Sequence, residues 1–155
     1  VLYTEKEKYK NAIKTFSKVR VKNLSRTTEP MYYFHLGYAH LQQRDYDKAL
    51  VAMSRIKNKQ SAFSLHAVYY TGYCYYARKE YQRALAEFLA IESIGGYKQI
   101  APYYIVQIYY AQKDYDKVYQ RAEELLKNYP EVRKKWQKRF GITASRSFGE
   151  KSSRI

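Results

Sequence analysis

Twenty tyrosines, three histidines and one cysteine are the side chains of this 155-residue chain whose types could support chemistry. The histidines, His35, His40 and His66, do not make a metal set. His35 and His40 are five residues apart, which on a helix places them on different faces, and no carboxylate or cysteine completes a site. Cys74 stands alone, which excludes an internal disulfide and a multi-cysteine metal site. Among its aromatic neighbours Tyr73, Tyr75 and Tyr76 it reads as a buried, inert thiol. The chain has no glycine-rich phosphate loop, nucleophile elbow or paired-carboxylate motif. No cofactor, metal or catalytic residue is therefore expected, and the chain reads as a non-enzyme. Tyrosine remains. It can bury a ring while its hydroxyl stays at a wet edge, so this composition suits amphipathic contact surfaces.

The elements that must position these rings repeat. Tyr46-Asp47-Lys48-Ala49, Tyr81-Gln82-Arg83-Ala84 and Tyr115-Asp116-Lys117-Val118 are three copies of one phrase, with tyrosines 35 and then 34 residues apart. A period in that range is the signature of stacked helical hairpins. Tyr9, Ala12, Ile13, Phe16 and Val19 lie at helical spacing and predict a helix over 5–19 that matches the second helix of each later hairpin. The leading helix of that first, partial unit would precede Val1. Pro30 marks the next start, since proline is well placed in a helix's first turn. The hairpins are expected at about 31–57, 62–94 and 99–129, with Asp45 as an N-cap and Gly95-Gly96 ending a helix. Gly37 and Gly72, with Ala49 and Ala84 opposite, allow close helix approach. After Pro130, Val132, Trp136 and Phe140 predict a short basic capping helix over 131–140, and 141–155 has no period and reads as disordered.

The net charge is +15, from 29 Lys and Arg against 14 Asp and Glu. Residues 130–155 hold eight basic and two acidic side chains, well over their share. Such an excess suits nucleic acid, anionic lipid or acidic polymer, or simply solvated helix faces. The chain has no apolar run of 18 residues, hence no membrane span.

These residues resemble the tetratricopeptide repeat family. Tyr33, Leu36, Gly37, Ala49 and Met53 match its pattern in the first full hairpin, and Gly72, Tyr75, Ala84 and Phe88 match it in the second. The third matches more loosely, with Val106 for the glycine and Val118 for the first alanine, while Ala122 and Pro130 fall in place. The resemblance covers about residues 5–130. It implies an all-α, right-handed alpha-alpha superhelix, a solenoid of about three helical hairpins plus flanking helices. It also implies a concave groove lined by five positions of each first helix. These are Met31, Phe34, Tyr38, Leu41 and Gln42, then His66, Tyr69, Tyr73, Tyr76 and Ala77, then Ile100, Tyr103, Gln107, Tyr110 and Ala111. No Lys, Arg or Asn falls there, so a clamp for a partner's C-terminal carboxylate is not expected. The wording of the hairpins is similar to exported repeat proteins of Bacteroidetes-type bacteria, which implies a periplasmic or outer-membrane-associated location in a Gram-negative cell.

The expected function is a protein-interaction scaffold that holds a peptide or partner helix on an aromatic groove. Most of these tyrosines are nonetheless expected to pack between helices. The alternative is an anionic-polymer or nucleic-acid binder using the basic surface and tail, with Trp136 and Phe140 as stacking rings.

Overall fold

The computed structural model describes residues 2–128, so the segments expected as a capping helix at 131–140 and a disordered tail at 141–155 lie outside the described residues. The described part holds seven α-helices, two short 3-10 turns and no strand. The helices are α1 (Leu2–Phe16), α2 (Thr28–Gln42), α3 (Tyr46–Ser54), α4 (Ser64–Ala77), α5 (Tyr81–Ile91), α6 (Ala101–Ala111) and α7 (Tyr115–Asn128). Each packs on the next in chain order, and α2 also touches α4. The result is an all-α helical-repeat solenoid in which α2/α3, α4/α5 and α6/α7 are the hairpins.

Helix ends depart from the sequence expectation where side-chain hydrogen bonds decide them. α1 stops at Phe16, three residues before Val19. There the backbone tightens to Lys18 N–H donating to Thr15 O (3.1 Å) and Val19 N–H to Phe16 O (3.0 Å). The Tyr32 hydroxyl donates a second hydrogen bond to Phe16 O, at 3.2 Å, tying the end of α1 to α2. α2 starts at Thr28, ahead of Pro30, because Ser25 and Thr28 bond reciprocally: Ser25 N–H to Thr28 Oγ1 (2.9 Å) and Thr28 N–H to Ser25 Oγ (3.1 Å). Pro30 then falls inside the first turn, where its missing N–H costs nothing. α3 ends at Ser54, yet Ile56 in the following turn is fully buried.

The three hairpin turns are one structure. Arg44, Lys79 and Lys113 have φ of 61°, 62° and 61°. Behind each, two N–H groups reach back into the preceding helix: Asp45 to His40 O and Arg44 to Leu41 O, Glu80 to Tyr75 O and Lys79 to Tyr76 O, Asp114 to Tyr109 O and Lys113 to Tyr110 O, at 2.9–3.0 Å. This is the Schellman closure, normally built on glycine. A left-handed L-residue costs roughly 1–2 kcal/mol, here offset by the two carbonyls each turn satisfies. Asp45 caps α3 as expected, accepting from Lys48 N–H at 3.3 Å, and Asp114 does the same for α7 from Lys117 N–H. Gly95-Gly96 does not end α5, which stops at Ile91. The two glycines open the 3-10 turn Gly95–Gln99, and Gly95 (φ 45°) has open space around it.

The largest core cluster joins the second and third hairpins through Phe88, Ile91, Ile105, Val106, Ile108, Ala122 and Leu125. Smaller clusters hold the first hairpin to the second: Met53, Ile56 and Ala67, and Leu41, Ala49 and Cys74. Thr71 carries the one buried side-chain polar atom without a hydrogen-bond partner among the described residues, its Oγ1. Leu36 and Ile105 occupy the corresponding places in the neighbouring hairpins. Thr71→Val keeps the shape and removes an unsatisfied hydroxyl, so it is expected to raise stability by about 1 kcal/mol, read as a higher urea midpoint. A lower midpoint would mean that the hydroxyl is bonded after all.

Candidate functional site

The first helices α2, α4 and α6 stand side by side, and aromatic rings fill the seams between them. Phe34 and Tyr38 of α2 meet Tyr70 of α4 at 5.9 and 5.4 Å between ring centroids. In the next seam Tyr104 of α6 meets Tyr69, Tyr73 and Tyr76 of α4 at 6.0, 6.1 and 5.4 Å. At the N-terminal side Tyr9 of α1 reaches Tyr38 at 5.9 Å. A strip of rings in mutual contact therefore runs across α1, α2, α4 and α6. Edge-to-face pairs of this kind contribute about 0.5–1.5 kcal/mol each beyond their burial.

Of the expected groove residues, Phe34, Tyr38, Gln42, Tyr69, Tyr73, Tyr76, Ala77, Tyr103 and Gln107 are half-buried. Met31 (44%), Ile100 (42%) and Tyr110 (53%) keep large exposed areas, and His66 and Ala111 are exposed too. Leu41 is corrected: it is 8% exposed and packs with Ala49 and Cys74 in the core. Tyr76 and Tyr110 stand at the same place in the later hairpins; leucine is shorter and has no hydroxyl that needs a polar partner, so it withdraws into the core.

Polar points tie the strip together. The Tyr76 hydroxyl donates to Gln107 Oε1 at 3.2 Å, joining two expected groove residues across the α4/α6 seam. Tyr97 Oη and His66 Nδ1 share a hydrogen bond of 2.5 Å, and the Tyr97 ring lies 5.5 Å from that of Tyr69. Burial pushes the hydroxyls of Tyr69, Tyr70, Tyr97 and Tyr104 above the ordinary tyrosine range, so all four remain neutral phenols.

Three residues of this network escaped the sequence reading: Tyr70, Tyr104 and Tyr97. Tyr70 and Tyr104 are 34 residues apart, each directly after a groove position, and that shared place in the repeat was the available signal. Tyr97 comes from the turn before α6 and carries no repeat signature.

The other candidate chemistries resolve simply. Cys74 is fully buried, and burial pushes its thiol up to about 12, against a small opposing pull from Arg78. His40 is buried with Nδ1 3.5 Å from Asp45 Oδ2, and burial lowers its pKa despite that carboxylate. His35 is exposed beside Phe34 and Phe63. Among the described residues no group of three His, Cys, Asp or Glu side chains could hold a metal, and no helix is long and apolar enough to cross a membrane.

Paired helices in a 34–35-residue register, with small residues at the helix contacts, define a helical-repeat protein. The tetratricopeptide repeat model matches residues 2–64 and 56–105, and the chain belongs to that family. The match ends within α6, where Val106 takes the place held by Gly37 and Gly72. No curated protein and no solved structure matched the chain. Repeats of this family generally mediate protein–protein interactions and typically act as non-enzymatic scaffolds.

Proposed function

We propose that this chain is an interaction scaffold that holds a peptide or partner helix against the ring strip of α2, α4 and α6. The observation that carries the reading is the strip itself. Its rings are fixed by one another, while Met31, Tyr110 and Ile100 leave apolar area exposed beside them. Rings already held in place lose little side-chain freedom on binding, so more of the contact energy appears as affinity. Their hydroxyls, with Gln42, Gln107 and His66, offer polar points for a partner's backbone.

The test takes a peptide selected against the parent chain from a random library and measures its affinity for the Tyr73→Ala/Tyr110→Ala variant. A loss of at least about tenfold is expected, in line with truncating aromatic anchors, with most of the binding surviving moderate salt. Thermal melts of both proteins show whether the fold is kept. Equal affinity of parent and variant would overturn the reading.

A further inference from the structure

The positive charge gathers at the two ends of the chain. Residues 1–28 carry eight basic and two acidic side chains, 29–129 carry 13 and ten, and 130–155 carry eight and two. The N-terminal share falls on α1 and the connection to α2. From Lys8 to Arg26 there are seven cations and no acidic residue. All eight basic side chains from Lys6 to Arg26 are exposed, and none forms an ion pair among the described residues. The Lys and Arg that are paired with carboxylates all lie at Lys48 or beyond, several of them bridging one hairpin to the next: Lys57 to Glu87 (2.5 Å), Lys59 to Glu29 (3.0 Å) and Arg121 to Glu92 (3.3 Å). The body of the solenoid offsets most of its own charge. The N-terminal edge does not.

The apolar residues of that edge from Tyr9 onward are half-buried. Phe16 meets Tyr32 at 5.6 Å, Tyr9 meets Tyr38, and Val19, Val21 and Leu24 are half-buried between exposed Lys18, Arg20, Lys22 and Arg26. Over residues 5–26 what reaches solvent is polar, chiefly cations with Glu5 and Glu7 at the start, and no ring or apolar side chain there is exposed.

We infer that this edge, α1 with residues 17–26, adsorbs to the surface of an anionic phospholipid bilayer. Unpaired like charges this close repel one another, and a layer of anionic headgroups relieves that repulsion over a broad area. Six of the eight cations are lysines, compact and strongly hydrated charges suited to diffuse attraction; a specific phosphate or base contact would favour arginine's planar fork. Single-stranded nucleic acid would need exposed rings for its bases to stack on, and residues 5–26 expose none. The apolar face of α1 is occupied by α2, so the chain rests at headgroup depth through charge and does not insert. This contact is independent of the ring strip.

Co-sedimentation of the full chain with phosphatidylcholine vesicles carrying about 30% phosphatidylglycerol, at about 0.05 M salt, tests the inference. Binding is expected to these vesicles, not to pure phosphatidylcholine, and is lost near 0.5 M salt. Lys10→Gln, Lys14→Gln, Lys18→Gln and Lys22→Gln together should lower the vesicle partition at least about tenfold. Glutamine is nearly as good a helix former as lysine, so the melting temperature should hold; if it falls, Lys10→Gln/Lys14→Gln serves with an expected loss of at least about threefold. The control removes equal charge from the other end: Lys134→Gln, Lys135→Gln, Lys138→Gln and Arg139→Gln. An equal or larger loss from this control would assign the effect to the C-terminal segment and overturn the inference. So would absence of binding to the anionic vesicles, or tighter binding to a DNA duplex, which would make nucleic acid the partner.

Discussion

Phe88→Ala is expected to remove about 3–5 kcal/mol of stability, a large part of the roughly 5–15 kcal/mol that holds a domain of this size folded. Phe88 is fully buried where three helices meet. Its ring stacks on Tyr104 of α6 at 4.7 Å with 7° between planes, meets the edge of Tyr69 of α4 at 6.1 Å, and lies against Gly72. Alanine leaves a cavity with rings on two sides, and neither Tyr69 nor Tyr104 can close it without breaking other ring contacts. In a repeat array stability is approximately a sum of unit and neighbour terms, so loss of this contact should also uncouple the second hairpin from the third. A urea titration should show a lower midpoint and a broader transition than the parent. A cost under about 1 kcal/mol would mean that the surrounding rings collapse into the space and the seam is softer than its geometry suggests.

The repeat was legible because its markers are residue types. The tyrosine phrase, the small residues at 37, 49, 72 and 84, and the 34–35-residue spacing together imply paired helices without any knowledge of their packing. The turns were only partly legible. Asp45 announced itself as a cap, but the left-handed residues Arg44, Lys79 and Lys113 did not, because glycine, the usual marker of that conformation, is absent from all three. The ring strip was legible in composition and not in arrangement. Neighbouring tyrosines such as Tyr69-Tyr70 and Tyr103-Tyr104 differ by about 100° around the helix, and which ring enters the seam depends on how the helices cross. Tyr104 thus became the hub of the α4/α6 seam, although Tyr103 holds the groove position. Leu41 shows the converse: its place in the repeat pointed to the surface, and its chemistry drew it into the core.

Gly72→Val is expected to cost about 1–3 kcal/mol, whereas Gly37→Ala should be close to neutral, although Gly37 has the shorter contact. A Cβ at Gly37 would come within 2.9 Å of Met53 Cε and 3.1 Å of Ala52 Cβ. The first is the far end of a flexible thioether that can turn aside, and about 1 kcal/mol of improved helix propensity offsets what remains. A Cβ at Gly72 would meet two atoms of the Phe88 ring at 3.1 Å and Glu87 Cβ at 3.2 Å. That ring cannot turn aside, because Tyr104 is stacked on its face and Tyr69 stands at its edge. Glu87 is held as well, through its ion pair with Lys57. Valine adds two methyl groups at this contact and gains little propensity over glycine, so α4 must move away from α5 and open the stack. The comparison is made by urea titration of both variants. If Gly72→Val and Gly37→Ala shift the midpoint equally, the rigidity assigned to the Phe88–Tyr104 stack is wrong, and the close approach of α4 to α5 is set by something other than that ring.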